Sequence, residues 1–125
     1  MKDNQRQLYI DHVLDSYRRT PGTLGRSHRE DRRLAGRLHD QGVRLETIRA
    51  ALLLIAVRRT LRPSHAPPLA PIRSLHYALP VIDEVLAQPP EPGYLEYLAY
   101  KLERHQAAPQ PNHDDPERAS RQRQG

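Results

Sequence analysis

The sequence predicts an all-α protein, and three observations lead to this prediction. Apolar residues recur at the three- and four-residue spacing of amphipathic helices, and no stretch of four or more residues alternates apolar and polar side chains as a half-buried strand does. β-branched residues, which favour strands, are few. Proline and glycine interrupt the apolar pattern at four places, which divides the chain into five helices. We therefore expect a five-helix orthogonal bundle with a helix-turn-helix-like central hairpin.

The length of the chain, 125 residues, is that of one ordinary domain. We assign residues 1–106 to a helical domain, within which residues 63–71 form a proline-rich and extended connector. Residues 107–125 contain no Leu, Ile, Val or aromatic residue, so they cannot bury a core and are expected to be disordered.

The first two helices are delimited by residues that cap or stop helices. The first is predicted over residues 4–19 and is stopped by Pro21. The second is predicted to begin at Ser27, because Ser27 and Glu30 have the spacing of a capping box, and to end at a left-handed Gly42. The residues predicted to be buried are Ile10, Val13, Leu14 and Tyr17 in the first helix, and Leu34, Ala35 and Leu38 in the second.

The third helix, predicted over residues 45–61, begins amphipathic and then becomes apolar all round at residues 50–57. A helix of this kind is normally central and covered on most sides. In a domain this small, however, the bundle need not cover the whole of it, and an uncovered strip would favour a partner.

The last two helices are predicted over residues 71–87 and 93–106. Pro80 lies inside the fourth helix and should kink or split it, because proline removes one backbone hydrogen bond. The residues predicted to face inward are Ile72, Leu75, Leu79, Ile82 and Leu86 in the fourth helix, and Tyr94, Leu95, Leu98 and Leu102 in the fifth.

Several classes of function are excluded or disfavoured by composition. The chain has no Cys, which excludes disulfides, thiol catalysis and cysteine-ligated zinc or iron–sulfur sites. The longest apolar run has eight residues, against the roughly 20 that span a bilayer. The start of the chain lacks the apolar region of a signal peptide. We therefore expect a soluble, cytoplasmic protein with no membrane partner.

Positive charge is concentrated in the middle of the chain. The net charge is +5, and 18 of the 20 basic residues are arginine. Residues 16–62 hold twelve arginines against four acids, whereas the rest of the chain is acidic or balanced. Either this region contacts a polyanion such as duplex DNA, or it presents a solvated face in an arginine-rich protein.

The candidate nucleic-acid contacts lie on the second and third predicted helices. Three arginines of the second helix recur every four residues, so they share one face and can meet a row of phosphates. The glycine between the two helices gives the outline of a helix-turn-helix, although a plain helical hairpin capped by that glycine is the alternative. The phosphate contacts are predicted at Arg26, Arg29, Arg32, Arg33 and Arg37, and the base contacts at Arg44, Thr47 and Arg49.

Two stretches of the sequence resemble known proteins. Residues 34–61, above all Gly-Val-Arg-Leu-Glu-Thr-Ile at positions 42–48, resemble the helix-turn-helix segments of small bacterial DNA-associated proteins. Pro-Ile-Arg-Ser-Leu-His-Tyr at positions 71–77, after a proline-rich linker, is similar to segments of uncharacterised proteins from bacterial mobile elements and plasmids. This resemblance implies an accessory role in replication or transposition, and it carries over no catalytic residue.

No constellation of side chains predicts an enzyme. The seven histidines include no pair at the three- or four-residue spacing of helical metal ligands, and the tyrosines of the fifth helix are expected to pack with a polar edge. We expect no cofactor, metal or small-molecule substrate. The sequence thus predicts a non-enzymatic DNA-binding accessory protein. The alternative is a helical interaction module without nucleic-acid binding, such as a homodimer or a small subunit of an assembly.

Overall fold

Five α-helices make up most of the protein in a computed structural model that describes residues 2–107, which confirms the predicted all-α fold. A short 3-10 helix, Leu75–Ala78, precedes the fourth α-helix. The described range contains no strand, only a single parallel bridge between Thr23 and Ile72. The α-helices are α1 (Lys2–Arg19), α2 (Arg29–Asp40), α3 (Leu45–Thr60), α4 (Leu79–Ala87) and α5 (Pro92–Ala107). The tail predicted to be disordered lies outside the described residues from position 108 onward; Ala107 is the last residue of α5.

The third helix is central, as predicted. It packs against α1, α4, α5 and the 3-10 helix. Its all-round apolar sequence is accounted for by this coverage, since helices on several sides remove it from water. Its buried residues are Ile48, Ala50, Ala51, Leu52, Leu54, Ile55 and Ala56.

The second helix packs against α1 and the 3-10 helix, and it makes no extensive contact with α3. Three predicted apolar residues, Leu34, Ala35 and Leu38, are buried in these contacts. The predicted end of α2 is confirmed, because Gly42 has φ +81°, a left-handed conformation that residues other than glycine rarely adopt.

The start of α2 differs from the prediction. The N-cap is His28, and its backbone N–H donates to Asp31 Oδ2 at 2.8 Å, so the capping carboxylate belongs to Asp31 and not to Glu30. The hydroxyl of Ser27 instead accepts a hydrogen bond from Arg18 at 3.0 Å. Tertiary structure explains why Asp31 is the capping residue, since the buried backbone N–H of Leu75 also donates to its carboxylate at 2.9 Å.

The predicted fourth helix is shorter than expected at its N-terminus. Ile72 is extended, and its N–H donates to the carbonyl of Gly22 at 2.7 Å, so the segment before residue 75 pairs with the loop after α1. The break predicted at Pro80 is confirmed. The 3-10 helix ends at Ala78, and α4 begins with Pro80 in its first turn, where the missing N–H has no intrahelical acceptor.

The proline-rich connector is held against the end of α3. Arg59 donates to the carbonyl of Ala70 at 2.6 Å, and Arg62 donates to the carbonyl of Pro67 at 2.7 Å. Arginine at the C-terminal end of α3 therefore has a structural role, because it fixes the path of a segment that has few N–H donors of its own.

Two residues predicted to face inward are exposed. The side chain of Leu86 on α4 is 50% exposed and that of Tyr94 on α5 is 53% exposed. In α5 only Leu98 and Leu102 are buried, so the face of the helix that packs on α3 is narrower than the apolar residues of its sequence indicate. None of the helices in residues 2–107 is long and apolar enough to cross a membrane.

Candidate nucleic-acid interface

A groove between α1 and α2 gathers most of the predicted phosphate contacts. It has a volume of about 420 Å³ and is open to solvent. We call it the arginine groove. It is lined by Arg6, Gln7, Ile10, Arg29, Arg32, Arg33 and Arg37.

The groove follows from how α1 and α2 pack. The two helices run in opposite directions, since Arg6 of α1 meets Asp40 near the end of α2 while Arg18 meets Ser27 ahead of its start. Apolar residues seal the helices together below the groove, and the four-residue repeat of α2 keeps its arginines above that seam. Over eight residues this row extends about 12 Å along the helix axis.

Two of the groove arginines are held by local carboxylates. Arg32 contacts Asp11 of α1 at 3.0 Å, and Arg33 contacts Glu30 one turn earlier at 3.2 Å. Both ion pairs are half-exposed and therefore weak. They orient the guanidinium groups but leave them able to bind an anion of higher charge.

Arg29 and Arg37 differ from these two, because neither guanidinium has an ion pair or hydrogen bond with the part of the chain that the structure describes. Both side chains are exposed. Among the described residues, the groove therefore has five arginines and three carboxylates that contact them, and the surplus lies at Arg29 and Arg37. This surplus makes it a surface for an anion with several charges.

Arg6, which the sequence analysis did not identify, completes the groove from α1. Its guanidinium forms two hydrogen bonds with the Asp40 carboxylate, at 2.9 and 3.0 Å. Hydrogen bonds from Arg6 and from His39 lower the pKa of Asp40 to about 2, so this carboxylate is ionised throughout the physiological range. Arg6 crosses α2 where Gly36 leaves room, since a Cβ at Gly36 would lie 2.5 Å from Arg6 Nη2. The only signal for this in the sequence is a glycine inside a helix.

The other predicted contact residues lie outside the groove. Arg26 is exposed in the loop before α2, and Arg44, the N-cap residue of α3, contacts Glu46 at 3.4 Å. Thr47 is partly buried in the first turn of α3. Arg49 lines a different groove of about 300 Å³, between α1, α3 and α5, whose floor is formed mainly by leucine and alanine.

The turn from α2 to α3, which the sequence predicts to be a helix-turn-helix, packs against α1. The hydroxyl of Tyr9 on α1 donates to the carbonyl of Val43 at 2.7 Å, and the Tyr9 ring packs edge-on against His39. Both α1 and the 3-10 helix contact α2 and α3, so these two elements together fix the relative position of α2 and α3. Base reading by Arg44, Thr47 and Arg49 stays a prediction.

The chemistry available at the arginine groove is binding. Guanidinium groups donate up to five N–H bonds in a planar fork that suits phosphate oxygens, and they do not lose their proton in proteins. Within residues 2–107, no three His, Asp or Glu side chains come together to hold a metal ion. The groove lining contains no nucleophilic side chain. Comparison of the chain with protein-family models, with characterised proteins and with solved structures found no match.

Proposed function

We propose that this protein is a non-enzymatic DNA-binding accessory protein that contacts the phosphates of duplex DNA through the arginine groove. The observation that carries the proposal is the convergence of five arginines from two helices on one open concavity. The row formed by Arg29, Arg33 and Arg37 on α2 accounts for one edge of the groove, and Arg6 on α1 accounts for the other.

Partial pairing of these arginines supports a phosphate ligand. Arg6 and Arg32 are oriented by carboxylates, so little side-chain entropy is lost when they donate to a phosphate. Arg29 and Arg37 lack such contacts in the described part of the chain and carry the uncompensated charge. Phosphate contacts of this kind fix the position of a protein on a duplex without reading its sequence.

Base contacts are proposed for Arg44, Thr47 and Arg49, because the first turn of a second helix is where helix-turn-helix proteins meet base edges. The link to replication or transposition of a mobile element, which the sequence resemblance implies, belongs to the same proposal and has no further support.

Salt-dependent binding to a random-sequence duplex tests the proposal. If five arginines contact phosphates, the logarithm of the association constant falls with the logarithm of salt concentration at a slope of about −4.5. Replacing Arg29 and Arg37 together by Ala should reduce the magnitude of that slope by about 2. Fluorescence anisotropy of the labelled duplex measures both quantities.

Further variants separate the groove from overall charge. Arg73→Ala removes one charge from an exposed position outside the groove and should leave the slope nearly unchanged, whereas Arg37→Ala should reduce its magnitude by about 1. Gly36→Ala keeps every charge but displaces Arg6, and binding should weaken by roughly tenfold or less. No binding at low salt, or equal losses in the Arg37→Ala and Arg73→Ala proteins, contradicts the proposal.

The alternative hypothesis, a protein–protein interaction module, is based on the apolar third helix and on the tyrosine-rich fifth helix. Seven residues of the third helix are buried by the chain itself, and only Leu45, Leu53 and Val57 among its apolar residues are partly accessible. The third helix therefore gives this alternative little support, whereas the exposed tyrosines of α5 are consistent with it.

A further inference from the structure

The outward side of α5 presents three half-exposed tyrosines, of which Tyr94 borders a groove shared with α3 and α4. Tyr94, Tyr97 and Tyr100 are 53%, 54% and 56% exposed. They follow one another at three-residue spacing, so about 4.5 Å of axial rise separates each from the next. Three half-exposed aromatic rings in a row are unusual for residues that serve only packing. A ring that stays half in water contributes only part of its apolar area to the stability of the fold.

Two cations lie among these rings. The Lys101 ammonium is 5.6 Å from the centre of the Tyr97 ring. The Arg104 guanidinium carbon is 5.7 Å from the centre of the Tyr100 ring, and its Nη1 donates to the tyrosine hydroxyl at 3.0 Å. We call these five residues, Tyr94, Tyr97, Tyr100, Lys101 and Arg104, the tyrosine face.

The tyrosine face contains no carboxylate. At 3.6 residues per turn, its five residues fall within an arc of about 120° around the helix axis. The acidic residues of α5, Glu96 and Glu103, lie outside this arc, and the buried leucines Leu98 and Leu102 lie toward α3. Around Tyr97 and Tyr100 the face therefore combines aromatic rings with positive charge, whereas Tyr94 shares a groove with Glu84 and Glu91.

We propose that the tyrosine face binds single-stranded nucleic acid, with unpaired bases stacked on the tyrosine rings and phosphates held by Lys101 and Arg104. Proteins that bind single-stranded nucleic acid commonly combine aromatic rings, on which bases stack, with cations that contact the backbone. Duplex bases are already stacked on each other, so rings on a convex helix can accept only bases that have left a duplex or never formed one.

This site is separate from the arginine groove. The groove belongs to α1 and α2, whereas α5 packs chiefly on α3. The two proposals can therefore fail independently. Loss of duplex binding in the Arg29→Ala/Arg37→Ala protein concerns the groove, and loss of single-strand binding in tyrosine variants concerns α5.

Anisotropy titrations with labelled oligothymidylate and oligouridylate of about 12 nucleotides test the proposal and distinguish DNA from RNA as the source of the strand. Tyr97→Ala with Tyr100→Ala should weaken single-strand binding about 30-fold or more, since stacking on one ring contributes at least about fivefold. This factor should persist at high salt, because stacking releases no counterions. Duplex binding should change little.

Three matched variants show which property of the side chains accounts for the loss of single-strand binding. Tyr97→Phe with Tyr100→Phe keeps the rings and should bind the strand nearly as the wild type does. Lys101→Ala with Arg104→Ala should flatten the salt dependence of single-strand binding by about 1.4. Leu86→Ala removes a side chain of similar exposure from α4 and should have no effect.

Tyrosine emission gives a second readout on the unlabelled protein. The chain has six tyrosines and no tryptophan, so its intrinsic fluorescence comes from tyrosine. Stacked bases should quench part of this emission in the wild type but not in the Tyr97→Ala/Tyr100→Ala protein. The proposal is overturned if the wild type does not bind the oligonucleotides, or if the alanine variant binds them equally well. It is also overturned if light scattering shows a wild-type oligomer that the alanine variant dissolves.

Discussion

Asp31 is the residue at which local and long-range structure meet. It is 1% exposed, and its carboxylate accepts hydrogen bonds from the backbone N–H groups of His28 and Leu75, at 2.8 and 2.9 Å, and from the Ser74 hydroxyl at 3.4 Å. One side chain thus caps α2 and anchors the 3-10 helix. A buried charge is tolerated there because each oxygen has donors, and the N-terminus of α2 adds a favourable dipole.

We expect Asp31→Ala to lower the free energy of unfolding by about 3 kcal/mol, because two backbone N–H groups lose a charged acceptor at a buried site. Asp31→Asn keeps one acceptor oxygen and should lose about half as much. Urea denaturation followed by circular dichroism measures both. The control is Glu30→Ala, which removes an exposed carboxylate from the same turn and should change the free energy by about 0.5 kcal/mol or less. If both substitutions lowered the free energy of unfolding equally, Glu30 would cap the helix as the sequence predicts and Asp31 would not be the main capping residue.

The arginine groove shows which features of a site can be predicted from the sequence and which cannot. The four-residue repeat of arginine predicted the shared face of α2, because helix geometry relates neighbours along one chain segment. The contributions of Arg6 and Gly36 depend on the distance between two helices, which no local pattern encodes. Likewise, Ser27 and Asp31 both suit the start of α2, and the choice between them depends on Leu75 more than forty positions away.

At the scale of elements, Tyr9 connects α1 to the turn between α2 and α3. Its hydroxyl donates to the Val43 carbonyl, and burial raises its pKa from the ordinary 10 to about 12. The folded protein therefore favours the neutral phenol more than the unfolded chain does. The resulting stability is fully present below pH 10 and is lost as the pH rises toward 12.

Tyr9→Phe should lower the free energy of unfolding at neutral pH by about 1 kcal/mol, since one hydrogen bond to a carbonyl is removed. It should also make stability decline less steeply between pH 10 and pH 12. Part of the decline should remain, because burial and the nearby Asp31 charge raise the pKa of Tyr17 as well. Chemical denaturation across this pH range measures the effect, and Tyr97→Phe, an exposed position, should follow the wild-type curve. A decline in Tyr9→Phe as steep as that of the wild type would contradict this assignment.

The sequence predicts best those elements in which the apolar periodicity and the helix-ending glycines or prolines indicate the same boundaries. Glycine or proline lies in each connection between consecutive α-helices, and the apolar run of α3 matches its central place. The segment before α4 differs from its prediction because its apolar period suits a helix, whereas in the structure the Ile72 N–H donates to the Gly22 carbonyl. Tyr94, which is predicted to face inward, is exposed for a related reason, since an aromatic side chain is buried only where another element covers it.

At the scale of the whole molecule, the 3-10 helix adds a second connection, beside the one through α1, between α2 and the helices around α3. It contacts α2, α3 and α4, and Leu75 at its start has no exposed surface. Helix α2 is thereby tied to the helices around α3 at a second place. Unfolding of α2 alone would leave Leu75 uncovered, which favours a single cooperative transition for the described helices.

Leu75→Ala tests this cooperativity. Removing a fully buried leucine leaves a cavity and should cost about 2–5 kcal/mol. Because Leu75 contributes to several contacts at once, the whole transition should move to lower temperature by about 10 °C or more, with circular dichroism and tyrosine fluorescence remaining coincident. Leu86→Ala, at a half-exposed position, should shift the midpoint by a few degrees at most. Separate transitions in the Leu75→Ala protein, one for α2 and one for the remaining helices, would show instead that α1 alone connects them.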